Sequence, residues 1–191
     1  MNRIFAAFTT VVAITLSAPA AAAPEIYNID GTHTFPRFEY VHFGYSNQVQ
    51  RFDKTVGIIT LDRAARTGSV NVSIDVNSIN SGFEVFNVDL KGAEFFDVEK
   101  FPTITFKSDS VRFEGNQPKI IEGTLTIKGV AKPVALTLLS FHCMPHPMLK
   151  KDACGSNAQA RIKRSDFNMG KFVPYVSDEV TLTIAVEAIR Q

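Results

Sequence analysis

The side chains of this sequence best suited to hold a metal or move a proton near neutral pH are His33, His42, His142, His146, Cys143 and Cys154. Four of them fall in "FHCMPHPMLKKDACGS", which offers two imidazoles and two thiols. The spacing matches no standard zinc pattern, and adjacent His142 and Cys143 are awkward to aim at one ion. In an exported chain, a disulfide between Cys143 and Cys154 is the simpler reading, and a metal site is its rival. Closing so short a loop is worth about 3 kcal/mol in the chain-entropy view. The prolines, glycine and lysines around the cysteines read as an exposed loop. His33 and His42 stand in the first strand region with no nucleophile beside them. A metal-assisted hydrolase built on one of them is the catalytic alternative. The sequence holds no G-x-S-x-G, H-E-x-x-H, P-loop or G-x-G-x-x-G at a strand–helix turn, so it assigns no catalytic residue and no metal ligand.

The other available chemistry is apolar binding. The chain has 16 phenylalanines and no tryptophan, and "EFFDVEKFPTITF" concentrates four of those rings. Unadorned rings can fill a core, or line a channel without leaving an N–H unpartnered. Lys and Arg total 20 against 19 Asp and Glu. That balance speaks against a nucleic-acid groove or a polybasic membrane patch.

The elements that must position these residues alternate with period two. "SVNVSIDV" puts Val70, Val72, Ile74 and Val76 on one face. "TITFKSDSVRF" joins Ile104 to Phe106, and continues with Val111 and Phe113 after a slip. "GTLTIKG", "PVALTL" and "EVTLTIAVEA" repeat the pattern, as does "PRFEYVHFGY" with Phe38, Tyr40 and His42 together. Half-buried antiparallel strands read this way. "RAARTG", "EGNQP" and "KGVAKP" punctuate them as turns. Pro36 suits a strand start, an edge or a bulge. "SGFEVFNVDLKGAEFFD" breaks the alternation. Ser81 with Glu84 makes a capping-box pattern, and Lys91–Gly92 an end signal. The spacing predicts a helix over about 82–91 with Phe83, Phe86, Leu90 and Val88 as its stripe, then a turn near Glu94–Phe96. Such a helix caps the end of a barrel or packs outside a sheet. Alternation alone does not separate a sandwich from a barrel of about eight strands.

At the N-terminus, Arg3, an uncharged apolar run from Ile4 to Leu16, and small residues follow in the order of a secretory signal. Ala20 and Ala22 place cleavage after residue 22. This leaves one domain over 23–191, exported to the periplasm.

Several stretches resemble, in order, the YceI-like family of exported polyisoprenoid-binding proteins. They are "IDGTHTFPRFEYVHFG", "FDKTVGIITLD", "SVNVSIDVNSINSG", "DLKGAEFFDVEKFPTITFKSDSV", "EGTLTIKGVAKPVALTL", "RSDFNMG" and "SDEVTLTIAVEA". The resemblance runs from Tyr27 to the end. It implies an all-β fold, an extended lipocalin-like antiparallel barrel of about eight strands with a short helical insertion. It also implies that the bore holds the isoprenoid tail of a quinone or prenyl lipid, for transport, storage or protection, including under stress. This chain departs from the family pattern at "FNVDL": Phe86, Asn87 and Asp89 replace an arginine, an acid and a histidine.

Strand parity then nominates the tunnel wall: Phe38, Tyr40, His42, Val72, Ile74, Ile104, Phe106, Leu125 and Ile127, with Leu90 and Phe96 from the helical insertion. Tyr40 and His42 are its polar members. "RSDFNMG" reads as a structural turn in which Asp166 pairs with Arg164 or Arg161. The expected ligand is a non-covalently bound isoprenoid lipid, with no cofactor. The expected partners are that lipid and, transiently, a membrane or membrane redox protein, with no nucleic acid. The alternatives are the hydrolase and a ligand-free structural β domain.

Overall fold

The computed structural model describes residues 23–191, so the signal peptide read over 1–22 lies outside the described residues. Eleven strands form one antiparallel sheet. They are β1 (Glu25–Ile29), β2 (Arg37–His42), β3 (Ser46–Phe52), β4 (Thr55–Asp62), β5 (Thr67–Asp75), β6 (Ile79–Asn80), β7 (Thr103–Glu114), β8 (Gln117–Ile127), β9 (Val130–Pro145), β10 (Asp152–Lys163) and β11 (Glu179–Arg190). One helix, α1 (Glu84–Lys91), follows β6.

The ring β1-β4-β5-β7-β8-β9-β10-β11 closes through the β1–β11 pairing, and β2, β3 and β6 extend from β11. β11 pairs with β2 over Thr181–Thr183 and with β1 over Ala188–Arg190. β1 and β2 therefore share one position of the ring at different heights. β3 runs on into β4 through a bend at Asp53–Lys54, and β5 into β6 through a short 3-10 turn at Val76–Ser78. The eight-strand ring closes on itself, and the β2-β3-β6 extension ends at β6, so the strands number eleven. Ser78 pins both bends: its hydroxyl accepts from the Asp53 and Lys54 N–H groups and donates to the Asp75 carbonyl.

Register shifts let long strands stay amphipathic. In β7 the register shifts between Lys107 and Ser110, so Ile104 and Phe106 face inward before it and Val111 after it. This is the slip visible in the sequence. Buried Ser108 fills the bulge, accepting from Ser110 N and donating to Glu122 O at 2.5 Å. Another shift, opposite Asn157/Ala158, sends Leu138 and Phe141 to the same side.

Four expectations need correction. α1 begins at Glu84, with Phe83 as its N-cap and no side-chain cap, so the Ser81–Glu84 box does not form. Buried Asn87 organises the entry instead, because its Oδ1 accepts from the Ser81 N–H and hydroxyl and its Nδ2 donates to Glu84. The inward stripe is Phe86 and Leu90, while Phe83 and Val88 are exposed. The cysteine stretch is mostly strand: Cys143 and Cys154 face each other across β9 and β10 and are disulfide-bonded, with Cα atoms 4.1 Å apart. That bond removes both thiols from the metal reading. Lastly, Arg161 pairs with Glu179, and Arg164 is held by carbonyls rather than by Asp166.

Candidate functional site

Closing eight twisted positions around inward-facing apolar side chains leaves a bore. The bore holds a cavity of about 440 Å³. Known small-molecule sites of proteins span roughly 300–1,000 Å³. Every nominated position, from strand parity or from the helical insertion, lies on its wall: Phe38, Tyr40, His42, Val72, Ile74, Leu90, Phe96, Ile104, Phe106, Leu125 and Ile127. The wall continues over strands from which the sequence nominated no wall residue. Ile59 of β4, Leu136 and Leu138 of β9, Ala158 and Ile162 of β10, and Leu182, Ile184 and Val186 of β11 complete the circle. Their alternation was legible, but nothing in one strand says which neighbours it faces across a closed ring.

Phenylalanines set the bore's shape towards one end. Phe38, Phe52 and Phe96 meet at centroid distances of 5.6–5.9 Å, two of the three contacts edge-on. α1 lies over this cluster and contributes Phe86 and Leu90 to the wall, so the insertion caps the barrel rather than packing outside it. Past the cluster the bore reaches His42, Phe43, Phe172 and Val176, where Phe43 is 49% exposed and Phe172 54%. These residues mark a mouth. Phe43 stacks on both Tyr45 and Tyr175, at 6.4 and 5.9 Å, and both tyrosines are exposed.

Polar groups on the wall are few. Arg164 is 7% exposed, and its guanidinium donates to the carbonyls of Met169, Lys171, Val176 and Ser177. It thereby ties down the 169–177 segment that forms one lip of the mouth. Burial pushes the Arg164 pKa down from its ordinary value. Burial also raises the Tyr40 phenol, so its hydroxyl keeps its proton. The Tyr40 oxygen accepts from Gln50 Nε2 at 3.3 Å. Thr55, 2% exposed at the bend between β3 and β4, has no hydrogen-bond partner for its Oγ1 among the described residues.

The histidines are not brought together. His42 is at the mouth, His33 is outside the bore, and His146 accepts from the backbone N–H groups of Met148 and Leu149 in the β9–β10 turn. His33 donates through Nδ1 to Asp30 at 2.7 Å, and Asp30 also takes the Thr32 N–H and hydroxyl. Those bonds, from Thr32 first and His33 next, hold the Asp30 carboxyl down to about 2. Hydrogen bonding to Asp30 raises His33 in turn. Among the described residues, Asp30, His33 and Glu187 are a group whose ligand atoms lie within 4.8 Å of one another, on the outer surface. The turn itself already uses the Asp30 oxygens.

A YceI-like domain model matches residues 27–188. The chain is 35% identical to Protein YceI of Salmonella arizonae over the full length of both. Among solved structures it is similar to BcnA of Burkholderia cenocepacia, with a TM-score of 0.70 and 25% identity over 83% of this chain and 98% of that one. A YceI protein of Campylobacter jejuni superposes with a TM-score of 0.68 at 28% identity, covering 79% of this chain and 90% of that one. A polyisoprenoid-binding domain from Saccharophagus degradans, implicated in plant cell wall breakdown, shares the fold at 16% identity, with a TM-score of 0.60 over 86% of this chain and 98% of that one.

Proposed function

We propose, from the premise that this chain belongs to the YceI-like family, that it is an exported, non-catalytic carrier of a long isoprenoid lipid. The lipid is a quinone or prenyl lipid, held without covalent attachment and without a cofactor. The observation that carries this reading is the apolar cavity running through a closed barrel to an aromatic mouth. A wall of Phe, Ile, Leu and Val offers a hydrocarbon tail shelter from water and little else. Each buried CH2 contributes about 0.8 kcal/mol, so one isoprene unit contributes roughly 2–4 kcal/mol. Ordering the flexible tail offsets part of that gain. The outcome is firm binding that measures length and width more than chemistry. The fold shared with a domain described as polyisoprenoid-binding supports the same class of ligand by analogy.

The export signal read over residues 1–22 and the Cys143–Cys154 bond both suit the periplasm. The exposed rim of Phe43, Tyr45, Phe172 and Tyr175 suits transient contact with a membrane, or with a membrane redox protein that handles the lipid. Transport, storage and protection under stress all follow from the one act of shielding the tail.

The test is lipid uptake. Protein stripped with organic solvent and refolded is mixed with vesicles carrying a fluorescent prenyl lipid, then separated by flotation. The carrier reading expects label in the soluble fraction, bound one-to-one. Label that stays wholly with the vesicles would leave a ligand-free structural domain as the better account.

A further inference from the structure

The mouth of the bore lies beside two turns that hold aromatic rings outside the fold. Phe43 and Gly44 are the central residues of the turn from β2 to β3, which the Tyr45 N–H closes on the His42 carbonyl at 2.9 Å. Both have positive φ, 53° and 73°. A hairpin turn of that kind favours Asn, Asp or Gly at its first central position, because a left-handed backbone crowds a larger side chain. This chain places a phenylalanine there. Phe172, in the segment tied down by Arg164, repeats the choice with φ 66°. Burial does not offset either strain, since Phe43 stays 49% exposed and Phe172 54%. A strained backbone that carries an exposed ring points to a use outside the fold. The rest of the rim has the same character. Phe43 stacks on Tyr45 and Tyr175, which are 87% and 68% exposed. Residues 41–50 and 172–177 include no Asp, Glu, Lys or Arg, although 20% of the chain is charged. The charges that border them are engaged: Lys171 pairs with Glu94, Glu39 accepts from Asn47, and Asp178 accepts from Ser165. Arg37 also lines the bore, but it starts β2, roughly 17 Å along the strand from His42.

We propose that this rim docks on a net-neutral lipid bilayer, with the Phe43 and Phe172 rings entering the headgroup layer and Tyr45 and Tyr175 resting at its boundary with water. This rests on the carrier reading above and names the partner of its mouth as a lipid surface rather than a protein. An isoprenoid lipid resides in a bilayer before a carrier takes it, so the bilayer is the surface this mouth must meet. Tyrosine, with an apolar ring and a polar tip, suits the boundary between headgroups and water. Turns without fixed charge enter the headgroup layer with no ion to desolvate. They also offer no cation to anionic lipids, so apolar burial drives the contact and salt has little to screen. Phe43 and Phe172 both line the bore and stand exposed. Rings that enter the layer therefore carry the opening of the bore with them, and a tail passes between bilayer and bore without crossing water.

The experiment is flotation with vesicles free of prenyl lipid, made of phosphatidylcholine alone or with added phosphatidylglycerol, at low and high salt. The wild type should float with both compositions, with a partition coefficient that salt and phosphatidylglycerol change by less than about 2-fold. Phe43→Gly combined with Phe172→Gly should lower that coefficient at least about 10-fold. Glycine suits both left-handed positions, so the variant keeps its fold. The chain has no Trp, so single reporters fix the orientation. Tyr45→Trp emission should shift to the blue on vesicles and be quenched by brominated phosphatidylcholine. Met148→Trp should do neither, because Met148 lies in the turn before β10 whereas Arg164, which holds the mouth, follows β10. No flotation, flotation only with phosphatidylglycerol at low salt, equal flotation of the glycine variant, or equal quenching at both reporters overturns the docking face. Binding to native envelope vesicles but not to lipid-only ones assigns the rim to a protein, and self-association lost in the glycine variant assigns it to a second copy; either overturns the proposal. Uptake of a fluorescent prenyl lipid from detergent micelles is scored separately. Uptake without flotation overturns the docking face and leaves the carrier reading standing. Flotation without uptake overturns the carrier reading, while the bilayer stands as the partner of the rim.

Discussion

At the scale of single residues, the bore depends on a few close approaches. Gly123 lies in β8 against the Phe106 ring; an added Cβ would come within 2.6 Å of Phe106 Cζ and 2.5 Å of the Lys107 carbonyl oxygen. Gly123→Ala is therefore expected to push Phe106 out of place and to lower stability by roughly 1–3 kcal/mol, read as a drop in the urea midpoint. The His33–Asp30 pair has a signed pH dependence. Asp30, lowered to about 2 in the fold from 3.8, contributes stability above its unfolded value and loses it as pH falls through about 2. His33, raised above 6.5, contributes below that value and loses it as pH rises through its raised pKa. NMR titration should show His33 ionising above its ordinary value, and Asp30→Asn should return it towards 6.5. An unmoved midpoint would contradict the pairing. Most wall residues at this scale were legible because strand parity is strict.

At the scale of elements, α1 and the β9–β10 hairpin make separate predictions. Asn87 binds Ser81 and Glu84 from inside the helix, a job the sequence pattern assigns to Ser81. Replacing it with alanine leaves the half-buried Ser81 N–H unmet, which costs about 1 kcal/mol. Hydrogen exchange should show α1 opening before the strands, and uniform protection in the variant would contradict this role. Capping was misread because Ser81 and Glu84 form a recurrent sequence pattern, whereas an amide that reaches back into the preceding turn has none. The disulfide lies within paired strands, so the ladder on both sides survives its loss. Cys143→Ser paired with Cys154→Ser should cost about 2–4 kcal/mol in thermal or urea unfolding while leaving the far-ultraviolet circular dichroism of the barrel intact. A collapse of the β signal would show that the covalent link, and not the ladder, holds that end closed.

At the scale of the whole molecule, closure turns scattered alternation into a site. The sequence announces strands, turns, an odd segment and abundant Phe. It does not announce that β1 and β2 share one position, because that depends on where β11 changes partner, near Thr183 on one side and Ala188 on the other. Eleven strands and eight ring positions are reconciled only in three dimensions. The mouth was equally hidden: Phe43, Phe172 and Tyr175 come from distant turns and meet only once the ring is closed. The central claim is that this bore is occupied by a lipid tail. Native mass spectrometry of the protein purified from its own envelope, beside a Val72→Trp variant that fills the bore, tests it most directly. The account predicts a non-covalent adduct with the mass of an isoprenoid lipid on the wild type and its loss from a folded variant. A wild type that flies only at its bare mass, or a variant that carries the adduct equally, would contradict it.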